Sequence, residues 1–392
     1  MLTNLILLGG VAAAANVANG FGSADHVILF GLDGLDVRCL QQALSNASIP
    51  NLQYFRTHGV YTDKARSHRP ASSLPNWATI FYGAGIMFHG VTSNSWTYCS
   101  RESIDDQTFA PPYLDDCVVY PDIFSVAKQQ KPDFVTAMLY SWGNLDAILP
   151  SETVLIDNRS YVEGSDCAGS QNASQQITDE AVALIANNSM PQLMFVYYNE
   201  VDACAHESSC FSDDGQAAIT SMDGNIGRIF NAVRDAGFEN STVFFFVSDH
   251  GRNADGSDHT DKSSFNYATQ WLVYGRGIIE GSRELKSAIA TEDTSPTVAH
   301  VLGLNAPLEW HGRVVHEIFV QANASLYSAA KSAWSTCVNS QCARKVHHKE
   351  AKTEGSAINW TMGIISTCIV IGGLCLATFV RFYSHRRGYL EI

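Results

Sequence analysis

The chain has 392 residues, 46% of them hydrophobic and 16% charged, and carries a formal net charge of −14 at pH 7. That length can bury one large core. The acidic balance, with no extended basic run, excludes nonspecific binding to bulk nucleic acid, and no internal repeat or low-complexity segment stands out.

In chain order, the first element is an apolar segment from Leu5 to Ala18 followed by small residues at Ala18, Gly20, Gly22 and Ser23. It reads as a cleavable secretory signal over residues 1–22, although no Lys or Arg precedes it. His26 to Leu32 is a continuous apolar run too short for a helix, as expected of a strand buried on both faces, and Asp33 follows it. Ser73-Leu74-Pro75-Asn76-Trp77 opens a predicted helix, because Pro75 suits a first turn and an apolar stretch continues through Ala78, Ile80 and Phe81. Ser73 then sits where unpaired amides and the helix dipole favour a phosphoryl anion. In isolation, Ser72 or Ser73 would be read only as an N-cap. Residues 96–150, rich in Asp, Pro and Tyr, are expected to form a small inserted cap.

Gln192 to Tyr198 is a second buried strand, followed by Asp202 and His206. Gln216 to Ala236 reads as an amphipathic helix whose apolar face carries Ile219, Met222, Ile226, Ile229 and Val233, ended by Gly237. Ser241 to Val247 is a third strand, followed by Asp249-His250-Gly251 and then His259. An open α/β sheet places its functional crevice outside the carboxyl ends of its strands, so Asp33, Asp202, Asp249 and His250 should converge there. Singly, an Asp after a strand is more often a helix cap and a lone His an ordinary surface or core residue. Together they are ligands for a pair of metal ions. Zinc accepts carboxylates and imidazoles, and two such ions clamp the attacking and leaving oxygens of a displacement at phosphorus. Asp202 and His206, four apart, can be aimed by one helical turn, and Gly251 is expected to permit the turn that Asp249 and His250 need.

With these residues in view, the chain resembles the alkaline phosphatase superfamily, specifically the type I phosphodiesterase/nucleotide pyrophosphatase branch. The resemblance rests on Gly31-Leu32-Asp33-Gly34, on Ser73-Leu74-Pro75-Asn76 followed by Gly83 and His89-Gly90, on Asp202 with His206, and on Ser248-Asp249-His250-Gly251, and it spans roughly residues 25–319. It implies an alkaline-phosphatase-like α/β fold over residues 24–325, doubly wound, with a mostly parallel central sheet, helices on both faces and the small cap. It implies that Asp33, Asp249, His250 and the Ser73 oxygen surround one zinc, while Asp202, His206 and a third histidine hold the other. Asn76 would contact a non-bridging phosphoryl oxygen. The expected reaction is hydrolysis of a phosphodiester or nucleotide pyrophosphate through a phosphoserine.

Two departures bear on that reading. The branch usually carries threonine at the Ser73 position. Nucleotide pyrophosphatases also place their last zinc histidine far beyond Asp-His-Gly, whereas His259 follows closely here and is preferred over His300, His311 and His316. No Arg or Lys adjoins the Ser73 motif, which favours a diester over a monoester dianion; Arg252 would reverse this if it turned inward. A sulfatase would want Arg where Trp77 stands. The alternatives on the same fold are a phosphomonoesterase, a phosphoethanolamine transferase and a non-catalytic surface glycoprotein.

Residues 326–360 turn polar and basic and suit a lumenal stalk. Met362 to Val380 has no charged residue and would be about 28 Å long as a helix, so residues 361–380 are expected to form one transmembrane helix. Arg381, Arg386 and Arg387 then place residues 381–392 in the cytoplasm. The tail carries Tyr389 to Ile392, a pattern resembling tyrosine-based signals read by sorting adaptors, which points to lysosome or endosome, with plasma membrane as the alternative. Sequons at Asn46, Asn158, Asn172, Asn187, Asn240, Asn323 and Asn359 agree with a glycosylating lumen. Eight cysteines outside the span suit disulfides, with Cys99–Cys117, Cys204–Cys210 and Cys337–Cys342 as local pairs. A metal-ligand role for Cys204, between Asp202 and His206, is the minor reading.

Overall fold

The computed structural model describes residues 20–97, 120–187, 190–260, 262–320, 366–371 and 374–379. The chain divides into two units, Met1–Ser328 and Ala329–Ile392. In the first, β1 (His26–Leu32), β2 (Val60–Arg66), β3 (Thr136–Tyr140), β4 (Asn158–Tyr161), β5 (Leu193–Tyr198), β6 (Thr242–Val247), β7 (Ala268–Gly275) and β8 (Arg283–Glu284) form one sheet in the order β4-β3-β5-β1-β6-β7-β2-β8. Strands β4, β3, β5, β1 and β6 run parallel; β7 is reversed against both β6 and β2. The sheet is therefore mixed, with a parallel half that carries the three predicted strands side by side.

Every residue of β1, β5 and β6 is buried, because helices cover both faces. Alternation along β6 divides the core: Val243, Phe245 and Val247 pack with Trp77, Phe81 and Phe195 on one face, while Phe244 and Phe246 pack with Phe30, Phe55, Ile219 and Met222 on the other. The phenyl rings of Phe30 and Phe246, opposite one another in register, stack at 5.0 Å. On the second face lie α1 (Val37–Ser45) and α2 (Pro50–His58). On the first lies α3 (Ser73–Tyr82), buried at all ten positions and ended by Gly83 at φ +54°. A helix buried all round is a core helix, and this one places Ser73 at its buried start.

The described part of the expected cap belongs to the central fold. Residues 120–150 include α4 (Ile123–Gln130), packed in the core, and β3 of the central sheet; residues 98–119 lie outside the described set. The polarity of the interval hid a strand of only five residues. Following β4 come α5 (Cys167–Ala186), then α6 (Glu200–Glu207) directly after β5, α7 (Asp213–Asp235) and α8 (Thr294–Val301). Helix α7 buries the predicted Ile219, Met222, Ile226, Ile229 and Val233 and stops before Gly237 at φ +82°; it starts earlier than expected because Ser212 caps it, accepting from the Gly215 amide.

Cys39 is bonded to Cys210 and Cys167 to Cys204, which corrects the expected Cys204–Cys210 pair. Cys204 lies within α6 against α5, whereas Cys210 follows the helix and meets α1, so sequence proximity misled. It also removes Cys204 as a metal ligand. The expected pairs Cys99–Cys117 and Cys337–Cys342 lie outside the described residues, as do the signal segment before Gly20, the stalk and the tail. The sequon residues Asn46, Asn172, Asn187 and Asn240 are exposed; Asn158 is half-buried on the edge strand β4. In the second unit, β9 (Ser366–Ile371) pairs antiparallel with β10 (Leu374–Phe379), within the stretch expected as a membrane helix. Among the described residues no helix is long and apolar enough to cross a membrane.

Candidate active site

Three adjacent parallel strands deliver the site. Asp33 follows β1, Asp202 and His206 project from α6 just after β5, and Asp249 and His250 follow β6. The side chains of Asp33, Asp249 and His250 form one group with ligand atoms within 4.8 Å of one another, and those of Asp202, His206 and His259 form a second. Ser73 joins them from α3, its Oγ donating to His250 Nε2 at 3.2 Å. The Nε2 atom also lies 3.3 Å from Asp249 Oδ2, 3.6 Å from Asp33 Oδ1 and 3.9 Å from Asp202 Oδ1. In the second group His206 Nε2 is 3.4 Å from Asp202 Oδ2 and 3.2 Å from His259 Nε2.

The protein's own groups orient these ligands. His250 Nδ1 donates to the Gly251 carbonyl at 3.0 Å and His259 Nδ1 donates to the Ala71 carbonyl, so each ring turns an unprotonated Nε2 inward. Asp33 Oδ2 accepts from Trp77 Nε1 at 2.9 Å and from the Tyr197 hydroxyl. Trp77 thus ties helix α3 to the Asp33 carboxylate. Gly34, at φ +59°, donates to Asp249 Oδ1 at 3.1 Å, and a Cβ there would lie 2.5 Å from both Asp202 Oδ1 and Arg252 Nη2. Gly251 was expected to supply turn geometry; it is instead needed for closeness, since a Cβ would strike the Phe265 carbonyl.

The residues fit divalent cations. Asp33 Oδ1 and Asp249 Oδ2 are buried oxygens with no hydrogen-bond partner, in a structure where such atoms are normally satisfied. Burial, then the Asp202 charge, pushes Asp33 up to about 7; burial, then Asp33, pushes Asp249 well up. Burial also keeps His250 and His259 below the usual imidazole range, hence neutral and able to ligate. Burial would raise Asp202 too, but Arg252, His206 and His250 outweigh it and hold it low. Carboxylates that resist ionisation beside neutral imidazoles are a site completed by positive charge.

Arg252 does turn inward. It is fully buried, yet Nη2 binds the Asp202 carboxylate and its backbone carbonyl (3.0 Å), Nη1 the Ser257 carbonyl (2.9 Å) and Nε the Gly34 carbonyl (3.3 Å). Its fork holds Asp202 rather than lining the cavity. Asn76 departs from expectation more clearly. Its side chain accepts from the His68 amide at 2.8 Å and donates to the carbonyls of Pro70 (2.9 Å) and Ser72 (3.0 Å), so it staples the loop before α3 instead of facing the crevice. At the fourth position of α3 its side chain points back over that loop. His89, quoted with the Ser73 motif, is a core residue pushed down to about 3 by burial and bonded to Thr79. His300 packs on His316 and His311 stacks on Phe88; neither ligand group includes them.

Beside Ser73 opens a cavity of about 560 Å³ whose walls include Asn94, Trp142, Asn144, Tyr161 and Glu163. Asn94 Oδ1 accepts from the Leu74 amide at 2.9 Å, and the residue lines this cavity together with Ser73. Sequence reading missed Asn94, Tyr197 and Arg38, whose guanidinium pairs with the buried Asp36 beside Arg252. Of these, only Tyr197, near the carboxyl end of the predicted strand β5, carried a positional signal.

A family model described as type I phosphodiesterase / nucleotide pyrophosphatase matches residues 27–262, the stretch that contains every ligand named above. The chain belongs to this family. Mouse ectonucleotide pyrophosphatase/phosphodiesterase family member 3 is 22% identical over 242 residues, covering 60% of this chain and 26% of the relative. Human arylsulfatase D is 26% identical over 150 residues, covering 33% and 25%. The chain thus spans about a quarter of the length of these curated relatives. Among solved structures, murine ectonucleotide pyrophosphatase / phosphodiesterase 5 superposes with a TM-score of 0.55 at 14% identity, covering 75% of this chain and all of that one. A mutant of the alkaline phosphatase PafA gives 0.58 at 11%, covering 76% and 99%. A 2-O GAG sulfatase gives 0.61 at 12%, covering 76% of each chain. These likenesses establish the alkaline-phosphatase-like α/β fold.

Proposed function

We propose that this chain hydrolyses phosphodiester or pyrophosphate bonds of small molecules with Ser73 as nucleophile. The supporting observation is the Ser73 hydroxyl at 3.2 Å from His250 Nε2, facing two buried carboxylate oxygens that have no partner. Asp33, Asp249, His250 and Ser73 would hold one divalent cation, and Asp202, His206 and His259 the other, with zinc favoured by the nitrogen and carboxylate donors. Bound there, the cations supply Lewis acidity and lower the pKa of a hydroxyl or water.

The protein's residues do the rest. Helix α3 presents Ser73 at its N-terminus, where amides favour a phosphoryl anion. Asn94 takes the role expected of Asn76 and donates to a phosphoryl oxygen, so that charge is met as it develops. Ser73 Oγ attacks phosphorus, the ester or anhydride oxygen leaves, and water then cleaves the phosphoserine. Because the Arg252 fork is occupied by Asp202, Gly34 and Ser257, the phosphoryl group meets no free guanidinium there, which supports a diester over a monoester. Trp77, committed to Asp33, stands where a sulfatase wants arginine and supports phosphate over sulfate. The two disulfides support a lumenal or extracellular catalytic unit, and we retain the single C-terminal span, the N-glycans and a sorting adaptor at Tyr389 to Ile392 as parts of this reading.

Hydrolysis of bis-p-nitrophenyl phosphate, a nucleotide pyrophosphate and p-nitrophenyl phosphate tests the assignment. Preference for the last favours a phosphomonoesterase instead. Phosphoenzyme trapped from the wild type must vanish in Ser73→Ala; its persistence removes Ser73 from the role.

A further inference from the structure

The two ligand groups lie in one crevice but differ in the charge that the polypeptide leaves on them. In the first, the side chains of Asp33 and Asp249 are 1% and 0% exposed, and among the described residues their ion-pair neighbour is His250. Two carboxylates there meet no lysine or arginine. The second group has one carboxylate, Asp202, and a guanidinium already binds it. Arg252 Nη2 contacts Oδ1, while Oδ2 lies 3.4 Å from His206 Nε2.

Packing makes the Arg252 contact a fixed one. The side chain is fully buried, and its fork also donates to the carbonyls of Gly34 (3.3 Å), Ser257 (2.9 Å) and Asp202 (3.0 Å). A guanidinium bonded to three backbone carbonyls stays in place when a cation arrives, and releasing Asp202 would leave it unpaired in the interior. A cation at the second group therefore competes with Arg252 for the same carboxylate. Solvent widens the difference. The His206 side chain is 40% exposed and Asp202 13%, against 0% for His250. Asp258, 4.0 Å from His206 Nδ1, is 43% exposed, so water screens most of the charge it could add.

We propose that Arg252 makes the two cation positions unequal. The position of Asp33, Asp249, His250 and Ser73 holds its ion tightly, and that of Asp202, His206 and His259 is exchangeable, filling last and emptying first as the free divalent-ion concentration changes. The proposal rests on the two-cation reading above and adds the order of filling and a means of regulation, since activity follows occupancy of the second position. Arg252 is a positioning residue here, acting through Asp202. A charge-assisted bond of this kind is worth about tenfold to hundredfold in an equilibrium constant, which sets the expected gap between the two affinities.

Calorimetric titration of the chelator-dialysed full chain with zinc tests this. The wild type shows two steps whose dissociation constants differ by at least about tenfold. His206→Ala, made at a partly exposed side chain, loses the weak step and keeps the tight one. In Arg252→Met the weak step tightens about tenfold to hundredfold while the tight step changes little. Arg252→Gln, neutral and still a donor, shows the same tightening and serves where the methionine variant fails to fold. Two equal affinities in the wild type, a weak step that survives His206→Ala, or a second step in Arg252→Gln as weak as in the wild type overturns the proposal and leaves the two-cation reading intact. A wild type that binds fewer than two zinc ions at saturation overturns the two-cation reading and this proposal with it.

Discussion

Asp33→Asn should stabilise the metal-free protein at neutral pH and weaken its response to divalent ions. Burial, then the Asp202 charge, raises the Asp33 carboxyl from 3.8 to about 7. Below pH 3.8 the folded and unfolded chains both hold the proton and no penalty exists. Between 3.8 and 7 only the folded chain retains it, so stability falls by about 1.4 kcal/mol per pH unit; above 7 the loss stays constant at about 4 kcal/mol. The substitution removes that titration and keeps an acceptor for Tyr197 and Trp77. For a unit of about three hundred residues, a melting entropy of about 2.1 cal/mol/K per residue converts 4 kcal/mol to about 6 °C. The assay is thermal unfolding of chelator-dialysed protein between about pH 5 and pH 8, with and without zinc. The metal-free wild type should lose stability across that range and the variant much less of it, while zinc should stabilise the wild type more than the variant, most at the alkaline end. Equal metal-free curves at pH 8, or a variant whose zinc response is undiminished, would refute the reasoning that Asp33 is an anion built to meet a cation.

Arg252→Met leaves the Asp202 carboxylate buried without its guanidinium, a loss of about 3–5 kcal/mol in the metal-free protein, and zinc should recover a larger share of stability in the variant than in the wild type; a metal response equal to wild type would show that Arg252 does not hold Asp202. Asn94→Ala should lower kcat by about a hundredfold to a thousandfold with a stability cost near 1 kcal/mol, whereas Asn76→Ala should act mainly on stability by freeing loop carbonyls and the His68 amide; the reverse ranking, read from kinetics and melting together, would restore Asn76 to the phosphate. Replacing Cys167 and Cys204 by Ser opens a crosslink across 37 residues, worth about 4 kcal/mol by loop entropy, and should weaken zinc binding because Cys204 lies between Asp202 and His206 on α6. Calorimetric zinc titration of this variant with Cys39–Cys210 intact, unchanged from wild type, would separate the Cys167–Cys204 disulfide from the site.

Which features were legible follows from how far each is fixed by local pattern. Strands β1, β5 and β6 read correctly because burial on both faces leaves an unbroken apolar run, and the sheet rule carried Asp33, Asp202, Asp249 and His250 to one crevice from positions more than two hundred residues apart. The reversal of β7 was not legible: its apolar run, Trp271 to Val273, resembles that of a parallel strand, and an apolar run does not encode strand direction. The same limit explains Asn76 and Asn94. A motif read along the chain favours the amide three residues from Ser73, but helix geometry sends that side chain back to its own loop, while Asn94 arrives through a separate turn and is placed by the Leu74 amide.

The pattern among the supporting residues carries the argument one step further. Trp77 binds Asp33, Arg252 binds Asp202 and the Ala71 carbonyl fixes His259, each from a distant segment, while the carbonyl of its own neighbour Gly251 fixes His250. Two of the three carboxylates nonetheless keep one oxygen unpaired in the dry interior, a cost of about 1–3 kcal/mol for each. A fold that spends buried tryptophan, tyrosine and arginine donors on one edge of these carboxylates and leaves the opposite edge bare is arranged around charge that the polypeptide does not itself supply. The ligand groups therefore need not be inferred from motif spacing alone; the unmet electrostatics of Asp33 and Asp249 call for them independently.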